Sequence, residues 1–399
     1  MDNFVYSNPV KYIFGKGQIS ALSAEIIPYG KRVLFIYGRN HIKSTGLYDT
    51  IVGQFQQAGI DCIELGGVQP NPRLSLVREG IDICRNHTID FILGVGGGST
   101  VDTAKAVSMG AKVDYDIWSA YEDFHNITHG NQGEFTHIPN EAVPMGSVMT
   151  KPGTGSGFDY TSVLSNHSTR EKLMVINKVM YSKFSIIDPE FGYSLPWKEQ
   201  AFGIADIMTH VMEQYFTPTK DTDILDQYKE ANLRAAITSG RLLQQEQKNY
   251  AAQSELFYIA SWACSDQSMT GTMGGWDSHM IEHELSGLTD INHGHGMSIV
   301  FYGWMNYMLP HLPGKFARFA EKVWGIEKNA RSDLEVGREG IEKTAEFWRS
   351  LGISLSLSEA GIGDDIIGQA AKRAVRFGPL SVIKPLREEE VREILNSLK

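Results

Sequence analysis

Residues 90–107, DFILGVGGGSTVDTAKAV, limit the possible folds more than any other stretch of the chain. A short apolar run stops at three successive glycines and passes at once into a helix-compatible run. Parallel strands cannot be joined by a tight hairpin and need a crossover, so such a joint belongs to a parallel sheet covered by helices. The residues before it repeat the pattern. KRVLFIY (31–37) reads as a strand, 42–59 as a helix and DCIEL (61–65) as a strand. A helix over 74–86 follows the turn QPNP (69–72), and another is expected over 101–109 after the glycines. Further strand-like pieces lie near 142–149, 160–165 and 184–187. Residues 121–140 are polar and are expected to form a surface loop.

After YSLPWKEQ (193–200) the helical period takes over, at 197–216, 224–245, 250–268, 297–308, 331–351 and 387–398. A chain of 399 residues exceeds one ordinary core. The expectation is an α/β N-terminal dinucleotide-binding domain with a parallel sheet (1–191) and an all-α C-terminal metal-binding domain (192–399). A cleft between two such halves is the default place for a ligand.

The charge balance, 37 basic against 47 acidic side chains, argues against a nucleic-acid partner. The opening MDNFVYSNPVKYIFGKG lacks the pattern of a secretory signal, and no run is apolar for long enough to span a membrane. Cys62, Cys84 and Cys264 are odd in number and far apart, so they read as free thiols in a reducing compartment. A cytoplasmic setting is expected.

Glycines between a strand and a helix let the backbone approach an anion, and the helix start offers unpaired N–H groups. GVGGGST (94–100) therefore suits a pyrophosphate, with Ser99 able to cap the helix and Asp102 and Lys105 in its first turns; a plain tight turn is the alternative. A second turn, YGRN (37–40), follows the first strand. It places Gly38, Arg39 and Asn40 where an acidic residue would select a free ribose hydroxyl, and the forked donors of Arg39 suit a 2′-phosphate instead. That favours NADP over NAD. TKPGTGSGFDYTS (150–162) offers hydroxyls and amides for a cofactor groove, and reads equally well as a polar loop.

SHMIEHELSGLTDINHGHG (278–296) holds four of the twelve histidines. They can be surface side chains, satisfied core histidines or metal ligands. His279 and His283 are i, i+4 on an expected helix, and the turn GLTDINHGHG carries His293 and His295. In GIADIMTHVMEQYF (203–216), Asp206 and His210 share a helix face by the same spacing. One carboxylate and three imidazoles suit Fe²⁺ or Zn²⁺ and leave the ion net positive. The ligands expected are Asp206, His210, His279 and His293, with His283 facing the cleft and His295 outside the ligand set.

These pieces together resemble the iron-containing alcohol dehydrogenase family, in its NADPH-dependent butanol dehydrogenase and broad aldehyde reductase branch. The resemblance runs from NPVKYIFGKG through GGVQPNP, GVGGGSTVDTAKA, LPWKEQAFGIADIMTHVMEQY, SHMIEHELSG and INHGHG to IKPLREEEVREIL. It implies one metal on Asp206, His210, His279 and His293, and His283 near nicotinamide and substrate; the candidate proton donor is His283 or a water in the cleft. It implies Gly38, Arg39 and Asn40 beside the adenosine ribose, and Gly97, Gly98 and Ser99 on the pyrophosphate. Thr150, Thr154 and Lys172 would line the cofactor's other side, with Asn71 and Asp102 close by. It also implies a homodimer paired through edge strands, and hydride transfer between NADP(H), or NAD(H), and a small primary alcohol or aldehyde. The alternatives are a glycerol-dehydrogenase-like or dehydroquinate-synthase-like enzyme of the same fold, and an inactive metal- and nucleotide-binding relative. Two features depart from the family: the loop near 121–140 is long and carries His125, His129 and His137, and Gly157 stands where an acidic residue is frequent.

Overall fold

The computed structural model describes residues 1–399. The chain forms two compact units, Asn8–Leu195 and Pro196–Lys399 together with Met1–Ser7. The first seven residues join the second unit through main-chain bonds: the Met1 ammonium donates to Lys220 O and Asp2 N to Gly271 O.

The first unit contains β1 (Lys11–Phe14), β2 (Arg32–Tyr37), β3 (Asp61–Leu65), β4 (Phe91–Gly96), β5 (Met145–Met149), β6 (Thr161–Asn166), β7 (Glu171–Ile176) and β8 (Phe184–Ile187). Six of them make one sheet in the order β1-β8-β5-β4-β2-β3, with every neighbour parallel. β4 and β5 are buried along their whole length, as expected of strands covered on both faces. β6 and β7 form a separate antiparallel pair. The short β1 and β7 have no counterpart in the sequence reading.

The region 121–140 is not simply a surface loop. Trp118–Thr128 is a helix that packs on β7, and its Trp118, Tyr121 and His125 are buried. Their 3-, 4- and 7-residue spacings form one apolar stripe, which the surrounding polar residues hide. Tyr121 stacks on Trp118 at 5.8 Å and shares a hydrogen bond of 2.7 Å with Ser162. No helix or strand lies between Thr128 and Met145.

The helix after the glycines spans Gly98–Gly110, so it begins three residues before the expected start. Gly97 stands at its N-cap, and Ser99 lies inside the first turn with no side chain capping the helix. Asp102 and Lys105 tie this helix to the β6–β7 pair. Val163 N donates to Asp102 Oδ2 at 3.0 Å, and the Lys105 ammonium reaches Asp159 Oδ1 at 2.5 Å and Thr161 O at 2.8 Å.

The second unit is helical. Trp197–Tyr215 is buried from Gln200 to its end, which suits a central helix that is enclosed all round. It packs against His293–Met308, which packs in turn against Asp277–Thr289. Helices Pro313–Trp324 and Asp364–Ala374 are additional to those expected, and the expected 250–268 helix ends at Ala263. His293 and His295 occupy the first turn of a helix, not a turn between helices. Asp290, left-handed at φ 61°, ends the preceding helix and Asn292 caps the next. The glycines there hid the helix, yet close packing demands one of them: a Cβ on Gly294 would lie 2.3 Å from the main-chain oxygen of Phe202.

Two outcomes follow. Gly294→Ala should lower unfolding stability by about 1–3 kcal/mol in denaturant titration, because a backbone oxygen cannot rotate away as a side chain would. Burial pushes the Asp102 carboxyl up, to about 6, against the opposing pull of Lys105. In the unfolded chain it titrates at its ordinary 3.8. Between these values the native state holds a proton that the unfolded state has lost, so this group lowers stability as pH rises through that window. The loss is at most about 3 kcal/mol. Asp102→Asn keeps an acceptor for Val163 N and should remove that part of the decline between pH about 4 and 7, read from denaturation midpoints at both.

Candidate metal centre and nucleotide-binding loops

Three helices of the second unit bring the expected metal ligands together. A ligand atom each of Asp206, His279 and His293 lies within 4.8 Å of the other two. His293 Nε2 is 3.6 Å from Asp206 Oδ1, and so is His210 Nδ1. His210 lies outside that tightest group, with its ring 4.7 Å from the ring of His279. The His210 Nδ1–H donates to the Asp206 main-chain oxygen at 2.8 Å, which leaves Nε2 as its ligand atom. His283, one turn beyond His279, forms a second close group with Glu282 and His293. His295 is apart: it stacks on Phe202 at 5.0 Å and its Nε2 donates to Ser354 O at 3.2 Å.

Two carboxylates that the sequence reading did not single out stand behind these imidazoles. The His279 Nδ1–H donates to Glu213 Oε1 at 3.0 Å, and the His293 Nδ1–H to Glu282 Oε2 at 2.5 Å. Their signal was present in the sequence: each glutamate follows a histidine by three residues, as His210–Glu213 and His279–Glu282. Trp276, left-handed at φ 54°, adds a wall, its ring 4.9 Å from His279 and 5.9 Å from His210.

The donor set fits a divalent cation. Asp206 Oδ1 and His279 Nε2 are buried atoms without a hydrogen-bond partner in the protein. Such groups are expensive to bury unless something satisfies them. Burial and the neighbouring imidazoles of His210 and His293 push the His279 pKa well below the ordinary value, which keeps it in the neutral, ligating form. Burial also raises the carboxyls of Glu213 and Asp277, each to about 7. A double positive charge on the far side of His279 would favour the ionised form of Glu213.

In the first unit, three loops leave the carboxyl ends of adjacent strands. The order around β2 reverses, with β3 on one side and the later β4 on the other, so the switch point lies between β2 and β4. Gly38, Arg39 and Asn40 follow β2; Gly97, Gly98 and Ser99 follow β4; Thr150 and Thr154 follow β5. Open α/β sheets bind ligands at such a point. Thr150 N donates to Gly96 O at 2.9 Å, locking two of the loops. A Cβ on Gly98 would lie 2.2 Å from Thr154 Oγ1, so the third loop lies directly against the helix start. Arg39 and Asn40 are exposed, whereas Asn71, Thr150 and Lys172 are buried, and Asn71 is left-handed at φ 54°. Lys172 sits in β7 opposite Ser165.

An acidic residue does lie near the β2 turn, though the sequence reading found none. Glu64, next to last in β3, accepts the hydroxyls of Tyr37 and Tyr48, both at 2.6 Å. The departure at Gly157 has a steric counterpart: a Cβ there would lie 2.4 Å from Ser185 Oγ and 2.9 Å from Met149 Cγ, so both side chains would have to shift to admit one.

Comparison with known proteins agrees with this geometry. Residues 9–189 match the family model "Iron-containing alcohol dehydrogenase", and residues 200–398 match the C-terminal region of the Fe-containing alcohol dehydrogenase family. The chain is 37% identical over 397 residues to the probable NADH-dependent butanol dehydrogenase 1 of Bacillus subtilis, covering 100% of both chains. It is 30% identical over 378 residues to the NADPH-dependent aldehyde reductase YqhD of Escherichia coli, covering 95% of this chain and 94% of the relative. The crystal structure of NADH-dependent butanol dehydrogenase A from Thermotoga maritima matches with a TM-score of 0.92 at 35% identity, covering 100% of this chain and 99% of that one. With both units matched end to end, the chain belongs to the iron-containing alcohol dehydrogenase family.

Proposed function

We propose that this NAD(P)-dependent alcohol dehydrogenase works as a reductase of small aldehydes. In this reading it uses NADP(H) and one divalent ion, Fe²⁺ or Zn²⁺, held by Asp206, His210, His279 and His293. The observation that carries the reading is the convergence of Asp206 Oδ1 and His279 Nε2, both buried and without a protein partner, on the imidazole of His293. When bound, the ion supplies positive charge at the oxygen that changes between carbonyl and alcohol, and the nicotinamide supplies the hydride. The residues themselves hold and orient. The donors of the Gly98 helix start receive the pyrophosphate, with Gly97 and Ser99 beside it. Thr150, Thr154, Asn71, Asp102 and Lys172 border the cofactor. His283 delivers the proton to the product oxygen in reduction and takes it back in oxidation.

The preference for NADP(H) rests on Arg39, which is exposed beside the β2 end, and on Glu64, whose two oxygens already accept tyrosine hydroxyls. Lys43 adds positive charge there, its ammonium 5.1 Å from the Tyr37 ring centroid. NAD(H) is the alternative, as the names of the Bacillus and Thermotoga proteins suggest. The α/β unit, about 1–191, serves the nucleotide and the helical unit, about 192–399, serves the metal. A homodimer belongs to the same proposal, because β1 and β3 are sheet edges in the single chain. So does a cytoplasmic setting, supported by three free cysteines. No helix is long and apolar enough to cross a membrane.

Nicotinamide oxidation with a panel of short aldehydes tests the reading. NADPH should be consumed faster than NADH, a chelator should stop it, and Fe²⁺ or Zn²⁺ should restore it. His279→Ala should lose metal and turnover together; full activity with metal retained would sink the ligand assignment. Arg39→Ala should cut the NADPH over NADH ratio of kcat/KM by about 10- to 100-fold, the worth of a charged hydrogen bond. An unchanged ratio removes Arg39 from cofactor choice.

A further inference from the structure

Two of the three helices that carry candidate ligands also carry a glutamate for the ligand on the next helix. Glu213, on Trp197–Tyr215, accepts from the Nδ1–H of His279 on Asp277–Thr289. Glu282, on Asp277–Thr289, accepts from the Nδ1–H of His293 on His293–Met308. Both carboxylates are almost fully buried, at 1% and 0% exposure. Glu213 Oε1 also accepts from Ser278 Oγ and from His279 N at 3.2 Å, and Glu282 Oε1 accepts from Ser286 Oγ. These seats are fixed from several sides, so neither carboxylate can turn toward the centre without breaking them.

An imidazole has one nitrogen to donate and one to ligate. A carboxylate on Nδ1 forces the proton onto that atom, leaves the Nε2 lone pair free and makes it more basic. His210 receives the weaker version from a main-chain oxygen, at 2.8 Å. We infer that Glu213 and Glu282 are positioning residues that fix the Nε2-ligating tautomers of His279 and His293 and thereby set the affinity of the centre for its divalent ion. The inference rests on the metal-site reading of Asp206, His210, His279 and His293. It assigns to two further side chains a role in holding the ion, not in the chemistry on substrate. It also gives two buried acids a reason to stand beside histidines: the imidazole N–H groups satisfy the carboxylates as much as the carboxylates orient the rings.

The test is metal binding by the full-length protein after stripping, with Co²⁺ as the probe in competition with a chromogenic chelator. Glu213→Gln and Glu282→Gln keep the shape and an acceptor oxygen but remove the charge. Each should weaken Co²⁺ binding by about 10- to 100-fold and change the visible absorption of the bound cobalt. The melting temperature of the metal-free protein should stay near that of the wild type. A purely structural role would do the reverse, lowering the metal-free melting temperature at unchanged affinity, and would overturn the inference. Should one variant fail to fold by far-UV circular dichroism, the other carries the test, since the two seats are separate. If both bind Co²⁺ like the wild type while His279→Ala does not bind it, the glutamates have no part in affinity and the metal reading stands. If the wild type itself binds no Co²⁺, the metal reading and this inference fall together.

Discussion

A buried carboxylate oxygen and a buried imidazole nitrogen, neither with a hydrogen-bond partner in the protein, are the most expensive feature of the helical unit and the one that a cation would relieve. Asp206 and His279 sit on different helices far apart in the chain, and His293 arrives on a third. Leaving such atoms unsatisfied costs of the order of 1–3 kcal/mol each, more for a charged group. A bound ion would remove that cost and tie the three helices together. The helices are also closely packed here: only glycine at 294 lets the His293 helix approach the Phe202 backbone.

The α/β unit answers a different charge. Its three loops end adjacent parallel strands, and the helix that follows the glycines presents unbonded N–H groups with no side chain competing for them. The absence of a side-chain cap suits an anionic ligand, which can complete the helix start as a cap otherwise would. On one flank of this surface Tyr37 and Tyr48 donate to Glu64, and the Lys43 ammonium lies over both tyrosine rings.

Much of this was readable from the sequence, for a physical reason. The strand period of β2, β3 and β4 is unbroken, and the i, i+4 spacing of Asp206–His210 and His279–His283 places side chains on one face whatever the packing. What was missed depends on tertiary contact. The helix at 118–128 mixes polar and apolar residues, and its burial of Trp118, Tyr121 and His125 shows only once it packs against the β6–β7 pair. The helix at His293 carries glycines that lower helix propensity, and one of them, Gly294, is demanded by a neighbour's backbone. Glu213 and Glu282 look like ordinary helix-surface acids until the helices are packed and both become buried. Gly157 looked like a departure at a binding loop, and the side chains of Ser147, Met149 and Ser185 already occupy the space beside it.

The most direct test of the account is a crystal structure of the metal-loaded enzyme, with anomalous scattering recorded at the absorption edge of the bound ion. The account predicts one anomalous peak per chain, bounded by Asp206 Oδ1 and the Nε2 atoms of His210, His279 and His293. A peak centred instead on the neighbouring group of Glu282, His283 and His293, or no peak near Asp206, would contradict it.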